Sequence, residues 1–227
     1  MDGILIINKP AGPTSHDVVN YIRKISGIKK VGHAGTLDPF AQGVLIVLIG
    51  RATKLQSGFM EMTKTYIGTL KLGETTDTFD VTGKIKLKTK NEKLKTTTKN
   101  LKLTLKSFVG EIKQIPPIYS AIKIHGQTAY KMARKGEKPK LKPRKVKIYS
   151  IKLLSYKWPR LKIKIECGKG TYIRSLAYDI GKKLKCGAYL EKLTRIKVGK
   201  FDIKNSTKLK ELNSQNLPRK ILSVNIR

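Results

Sequence analysis

Acidic residues are scarce: 15 Asp and Glu stand against 49 Lys and Arg in 227 residues. The search for a catalytic carboxylate is therefore short. The formal charge of +34, with a pI near 10.2, favours a polyanionic partner, because neutralising phosphates releases counterions. A lysine-rich genome or a solvated surface accounts for part of the same excess. Cysteine and histidine are also few. Cys167, Cys186 and three scattered histidines lack the spacing of a metal site, so structural zinc is not expected and a reduced, cytoplasmic protein is. Long apolar runs are missing too. Met1 to Asn8 has no basic n-region and its apolar stretch is too short to be secretory or to span a membrane. The length allows one large or two small globular domains.

What is present centres on Gly32-His33-Ala34-Gly35-Thr36-Leu37-Asp38-Pro39-Phe40-Ala41-Gln42-Gly43, followed by the buried-strand run Val44 to Ile49. Glycines permit backbone conformations other residues avoid, and Pro39 pushes Asp38 out of the helical region, so Asp38 is expected on an irregular, well-fixed loop. A helix N-cap is the equally weighted alternative for an Asp-Pro step. The other acids have plainer readings. Asp17 suits the first turn of a helix, Glu92 and Glu137 are isolated in lysine runs, and Glu166 lies on the polar side of an alternating strand.

Along the chain, Ile4 to Ile7 reads as a first strand, and Ser15 caps a helix with Val18, Ile22 and Ile25 on its inner face and Gly27 as its stop. Residues 52–60 read as a helix and 64–73 as a strand. Glu74, Asp77 and Asp80 form the one acidic cluster. It is either a turn bonding its own backbone or a Mg²⁺ site for phosphoryl transfer. Residues 84–106 carry nine lysines and one acid, giving a peripheral strand and a threonine-capped helix. An extended segment from Gln114 leads to a short helix ending at Gly136, and residues 131–147 hold nine basic residues against one acid. Leu161, Ile163, Ile165 and Cys167 alternate with charged residues in the clearest strand. A helix follows with Thr171 as expected N-cap, and this puts Arg174 at N3, where a cation opposes the helix dipole by about 0.3–1 kcal/mol. A buried carboxylate partner would explain that placement; an arginine reaching into solvent is the alternative.

The stretch from His33 to Gly43, read with Gly50-Arg51-Ala52-Thr53-Lys54, resembles the signature of the TruB family of pseudouridine synthases, a GH-x-GTLDP loop, a buried strand and G-x-ATK. Lys9-Pro10, Lys64-Thr65-Tyr66, Gly73 to Asp80, Tyr119 to Gly136, Lys169 to Arg174 and Cys186 to Arg195 resemble further motifs of that family. The resemblance runs from about Gly3 to Lys200. It implies an α+β fold with a mixed, largely antiparallel sheet and packed helices, in a catalytic domain over residues 1–204. A basic RNA-covering insertion spans about 115–147, and residues 205–227 form a short C-terminal tail. The 27 residues from Phe201 are too few for the PUA domain that many members carry.

The same resemblance implies isomerisation of uridine 55 in the T-arm of tRNA to pseudouridine, on a uridine flipped out of its stack. Asp38 is the implied nucleophile, Arg174 its ionic partner, and Tyr66 the ring stacked on the base and involved in proton transfer. His33 is implied as a wedge in the opened RNA loop, Tyr172 as a nucleotide contact, and Leu193 as the apolar neighbour of the base. Lys9 belongs to the N-terminal motif and is either a substrate contact or a solvated lysine. No cofactor or metal is needed, the partner is tRNA rather than a membrane, and a monomer is expected. The alternative from another class is a non-catalytic RNA chaperone or ribosome-associated binder, which would survive loss of the Asp38 carboxylate.

Overall fold

The structure, a computed structural model, describes residues 1–88, 96–120, 122–124, 126–137, 139 and 141–225. Glu92, Ala121 and His125 lie outside the described residues. The chain divides into two compact units, Met1–Ile67 with Leu193–Arg227, and Gly68–Lys192.

The first unit opens with β1 (Gly3–Lys9) and α1 (Ser15–Ser26). The cap of α1 is Thr14 rather than Ser15: Thr14 Oγ1 accepts from the Asp17 amide at 3.0 Å, and Asp17 returns the bond to the Thr14 amide at 2.8 Å. This reciprocal pair satisfies two otherwise orphaned donors. β2 (Val31–Ala34) and β3 (Gln42–Ile49) follow, then a 3₁₀ turn (Gly50–Leu55) running into α2 (Gln56–Glu61). The expected 52–60 helix is thus split between two helical pitches. β3 pairs antiparallel with both β1 and β2, and Val44 to Ile49 are wholly buried. Its alternate side chains feed two cores. Leu45, Val47 and Ile49 face Val18, Val19 and Ile22 of α1, while Val44, Ile46 and Leu48 join Ala52 and Phe59. Each such aliphatic side chain contributes about 1.5–3 kcal/mol by leaving water.

β4 (Lys64–Leu72) carries the chain into the second unit. There β5 (Glu74–Thr76) and β6 (Ile85–Lys88) form a small hairpin, and α3 (Thr98–Lys106) is capped by Thr97. β7 (Gly110–Gln114), the short pair β8 (Lys123–Ile124) and β9 (Gln127–Thr128), and α4 (Ala129–Arg134) come next. The helix expected to run to Gly136 is one and a half turns long. β10 (Arg144–Lys157) pairs antiparallel with β7 and with β11 (Arg160–Cys167), whose inner residues Leu161, Ile163, Ile165 and Cys167 are buried as their alternation requires. α5 (Ile173–Lys183) then leads to β12 (Ala188–Val198), which returns the chain to the first unit.

In the first unit β12 pairs parallel with β3 through Thr194 and Arg195, opposite Gln42 and Gly43. β13 (Phe201–Asp202) folds back on β12, β14 (Thr207–Lys208) pairs parallel with β1, and α6 (Leu217–Lys220) closes the chain. Leu212 and Leu217 are buried in the α1 core, and Ile4 and Leu222 exchange backbone hydrogen bonds at 3.0 and 2.9 Å. The architecture is α+β with a mixed, largely antiparallel sheet, as expected from the resemblance.

Candidate active site

Asp38 lies between β2 and β3 in irregular backbone, not at a helix start. Its carbonyl accepts from the Ala41 amide at 3.0 Å, closing a turn with Pro39 at the second position, where proline's fixed φ fits. This removes the N-cap alternative. The carbonyls on either side are bonded one after another. Arg195 donates Nη2 to Gly35 O at 2.9 Å and Nη1 to Thr36 O at 3.5 Å. Ser15 Oγ accepts from the Leu37 amide at 2.9 Å and donates to its carbonyl at 3.2 Å. Pro39 O accepts from the Gly12 amide at 2.8 Å and from Lys9 Nζ at 3.3 Å. Every carbonyl from Gly35 to Pro39 has a donor, so the half-buried Asp38 projects from a backbone with little freedom.

Two buried cations do most of this tethering. Lys9 is 0% exposed, and its ammonium also donates to Pro10 O at 2.9 Å and Pro13 O at 2.7 Å. Its three donors are thus engaged by three carbonyls. This corrects both expectations for Lys9: it is neither solvated nor offering a donor to substrate, because the loops at 10–13 and 38–41 close over it. Burial pushes its pKa down to about 8, the nearby Asp38 charge opposing that shift and Arg195 adding to it. Arg195 is 1% exposed and donates Nε to Val44 O at 2.7 Å, so its partners are all carbonyls. Gly43 makes this approach possible. Its φ is +108°, and a Cβ there would sit 2.2 Å from Arg195 O. The L-x-R pattern contained Arg195, but nothing in the sequence says that a guanidinium will turn inward onto a loop 160 residues away. Ser15, expected as a cap, was missed as a clamp for the same reason.

The first unit also holds His33, Tyr66 and Leu193. His33 is on β2 opposite Val47, and its carbonyl accepts from Gln56 Nε2 at 2.8 Å. Burial, then the Arg195 and His16 charges, lower its pKa, so the ring is neutral at pH 7. Its Nδ1 is buried without a hydrogen bond among the described residues. Tyr66 on β4 is 8% exposed and Leu193 on β12 is 6% exposed. Lys64, two residues before Tyr66, bonds the carbonyls of Met60 and Met62 at the end of α2 and so fixes the start of that strand.

The second unit holds Tyr172 and Arg174. The Gln114 amide group clamps the Tyr172 backbone from both sides, Oε1 accepting from its N–H at 2.8 Å and Nε2 donating to its carbonyl at 3.0 Å. Tyr172, not Thr171, is the N-cap, because the Thr171 hydroxyl turns back to donate to Gly168 O at 3.1 Å. Arg174 therefore stands at N2. It is buried, donating Nη1 to Asp80 Oδ2 at 3.1 Å and Nη2 to Tyr119 O at 2.9 Å. A buried cation against the dipole is tolerable with such a partner, and removing one member of a buried pair costs about 3–5 kcal/mol. Asp80 was expected only as part of an acidic turn or metal cluster.

That cluster has other work. Asp80 Oδ1 accepts from the Thr82 amide and the Thr78 hydroxyl, Asp77 accepts from the Lys84 amide at 2.8 Å, and Glu74 pairs with Lys71 at 3.0 Å. Among the described residues no group of three His, Cys, Asp or Glu side chains converges as a metal site. The self-bonded turn is the alternative that the geometry supports.

A family model described as the N-terminal domain of TruB family pseudouridylate synthases matches residues 23–173, and one for the tRNA pseudouridylate synthase B C-terminal domain matches residues 174–221. The tRNA pseudouridine synthase B of Clostridium acetobutylicum is 49% identical over 224 residues, 99% of this chain and 76% of that protein. The chain belongs to the TruB family. Among solved structures, a Cbf5–Nop10–Gar1 complex aligns with a TM-score of 0.72 at 30% identity, covering 92% of this chain and 53% of that one. An H/ACA RNP bound to a substrate RNA containing 2′-deoxyuridine aligns with a TM-score of 0.68 at 28% identity, covering 92% and 52%. This TruB chain thus spans about half the length of those solved chains. Most of the segment expected as a tail, residues 205–221, falls within the second family match.

Proposed function

We propose that this chain isomerises uridine 55 in the T-arm of tRNA to pseudouridine, with Asp38 as nucleophile. The observation that carries this reading is the fixed placement of Asp38, whose loop has every carbonyl from Gly35 to Pro39 bonded and two buried cations beneath it. A nucleophile held by its neighbours need not be ordered during the reaction, which lowers the entropic part of the barrier. Family membership and the curated relative's name supply the reaction class and tRNA as substrate.

The bond between ribose C1′ and uracil N1 breaks, the base turns, and C1′ joins C5. The proton leaving C5 is balanced by the one gained at N1, so the product is an isomer and no redox step arises. Asp38 attacks and later leaves, and Arg174 is the ionic partner that the family resemblance implies for its carboxylate, keeping it ionised. Tyr66 stacks on the detached base against Leu193, and Tyr172 contacts the target nucleotide. His33, neutral and poor in hydrogen-bond partners, fills the RNA loop that the extruded uridine vacates, where unstacking costs a few kcal/mol. The basic segment 115–147 covers the bound RNA. No cofactor is required, the working form is a monomer, and the setting is the cytoplasm.

The test is incubation with an unmodified tRNA transcript in chelator, followed by chemical mapping of pseudouridine. Product at the T-loop uridine is expected. Tight binding without product at any uridine would favour the RNA chaperone or binder instead.

A further inference from the structure

The outer face of the second unit's sheet carries a row of lysines that the site does not use. β7, β10 and β11 turn their apolar residues inward, and Ile165 of β11 and Ile173 of α5 both lie within 4 Å of a Cβ built on Gly68, which puts α5 on that inner face. Their other face bears Lys113, Lys145, Lys147, Lys152, Lys162 and Lys164, all exposed. Register sets like charges directly against each other. Lys152 is opposite Lys164, and Lys145 is opposite Lys113. Such pairs destabilise a sheet. Glu111, bonded to Lys145 at 2.8 Å, relieves the Lys145–Lys113 pair, but Glu166 faces Ser150 rather than a lysine, so the Lys152–Lys164 pair has no carboxylate opposite it.

We propose that this face is a second RNA-contact surface, taking the phosphate backbone of an RNA helix without reading its sequence. It rests on RNA being this chain's ligand and not on which uridine is modified. A row of ammonium groups on a stiff sheet places several cations against consecutive phosphates at little cost in ordering, and bound phosphates remove the lysine–lysine repulsion. Tyr149, exposed with Lys147 Nζ 5.6 Å from its ring, adds an aromatic surface of the kind that nucleic-acid faces interleave with cations. An anionic bilayer fits less well, since Leu154 is the one exposed aliphatic side chain on β10 and offers little apolar surface to insert.

The experiment compares wild type with the triple variant Lys152→Gln, Lys162→Gln, Lys164→Gln and with a charge-retaining triple, Lys152→Arg, Lys162→Arg, Lys164→Arg. The probes are an RNA duplex with no loop and, separately, phosphatidylglycerol vesicles. The glutamine triple is expected to lower the slope of log affinity against log salt for the duplex by about two to three. It should melt at the same or a higher temperature than wild type and modify a T-arm minihelix with unchanged kcat. The arginine triple keeps the wild-type slope. An unchanged slope in the glutamine triple, an effect confined to vesicles, or an equal loss in the arginine triple would each overturn the proposal. Because the duplex has no target uridine, failure of the proposed reaction would leave this result standing.

Discussion

Replacing Arg195 tests whether the Asp38 loop depends on inward-facing cations. Methionine fills a comparable volume but supplies no donor. Val44 O, bonded at 2.7 Å, and Gly35 O, bonded at 2.9 Å, would lose their partner, and Thr36 O would lose a weaker bond at 3.5 Å that adds little to the cost. Each buried acceptor left unsatisfied costs about 1–3 kcal/mol, so two give about 2–6 kcal/mol, reduced by no longer burying a guanidinium. That is a large share of the roughly 5–15 kcal/mol holding a domain together. Arg195→Lys keeps the charge and reaches one carbonyl, so its cost should be about 1–3 kcal/mol and the protein should stay folded. A nucleophile shifted by about 1 Å loses on the order of 100-fold in rate. Urea melts with single-turnover kinetics separate the two effects. Arg195→Lys should lower kcat about 10- to 100-fold while KM for RNA moves little. A folded Arg195→Met protein with wild-type stability, or Arg195→Lys with kcat within about twofold of wild type, would refute the reasoning.

Four further outcomes are measurable, three at the Asp38 loop and one on α5. Gly43→Ala forces a Cβ to 2.2 Å from Arg195 O at a φ of +108°, and strained backbone alone costs about 1–3 kcal/mol, so its melting temperature should fall below that of wild type. Raising pH through about 8 should reduce kcat, because Lys9 then loses its proton and one of its three tethering donors, and Lys9→Met should lack this alkaline limb. The linkage has the opposite sign for stability: between about 8 and the ordinary 10.5 the unfolded chain holds the proton that folded Lys9 has lost, so this group's contribution rises with pH, as melts across that range would show. Asp179, pushed up to about 6 by burial with Lys182 opposing, penalises the folded state at pH 7; Asp179→Asn should stabilise by about 1–3 kcal/mol there after discounting its partial exposure, and the gain should shrink as pH falls from about 6 to 3.8.

The strands and the loop were legible because their signals are local. Six consecutive apolar residues from Val44, short, rich in β-branched side chains and bounded by Gly43 and Gly50, mark a buried strand, and the alternation at 161–167 marks a half-buried one. Asp38 stood out through its glycines and Pro39, although the residues alone left an N-cap equally open; the turn to Ala41 decides between them. What holds the loop was not legible. Lys9, Ser15 and Arg195 act through side chains that bond carbonyls far away in sequence, and their surroundings read as a loop, a cap and a strand. Asp80 was ambiguous for a similar reason: an acidic turn has the same composition whether its carboxylate bonds its own backbone or, as here, also a buried arginine 94 residues on. Helix starts slipped by one residue at Thr14 and Tyr172, where Ser15 is taken by the distant Leu37 amide and the Thr171 hydroxyl by the nearby Gly168 carbonyl.

The central claim is that Asp38 makes and breaks the covalent bond to substrate. Its most direct test is Asp38→Asn assayed beside wild type for RNA affinity and for pseudouridine at the T-loop uridine of an unmodified tRNA transcript. The account predicts that the variant binds the transcript as tightly as wild type, with the same salt dependence, and forms no product. Product formed by Asp38→Asn at a rate comparable to wild type would contradict it.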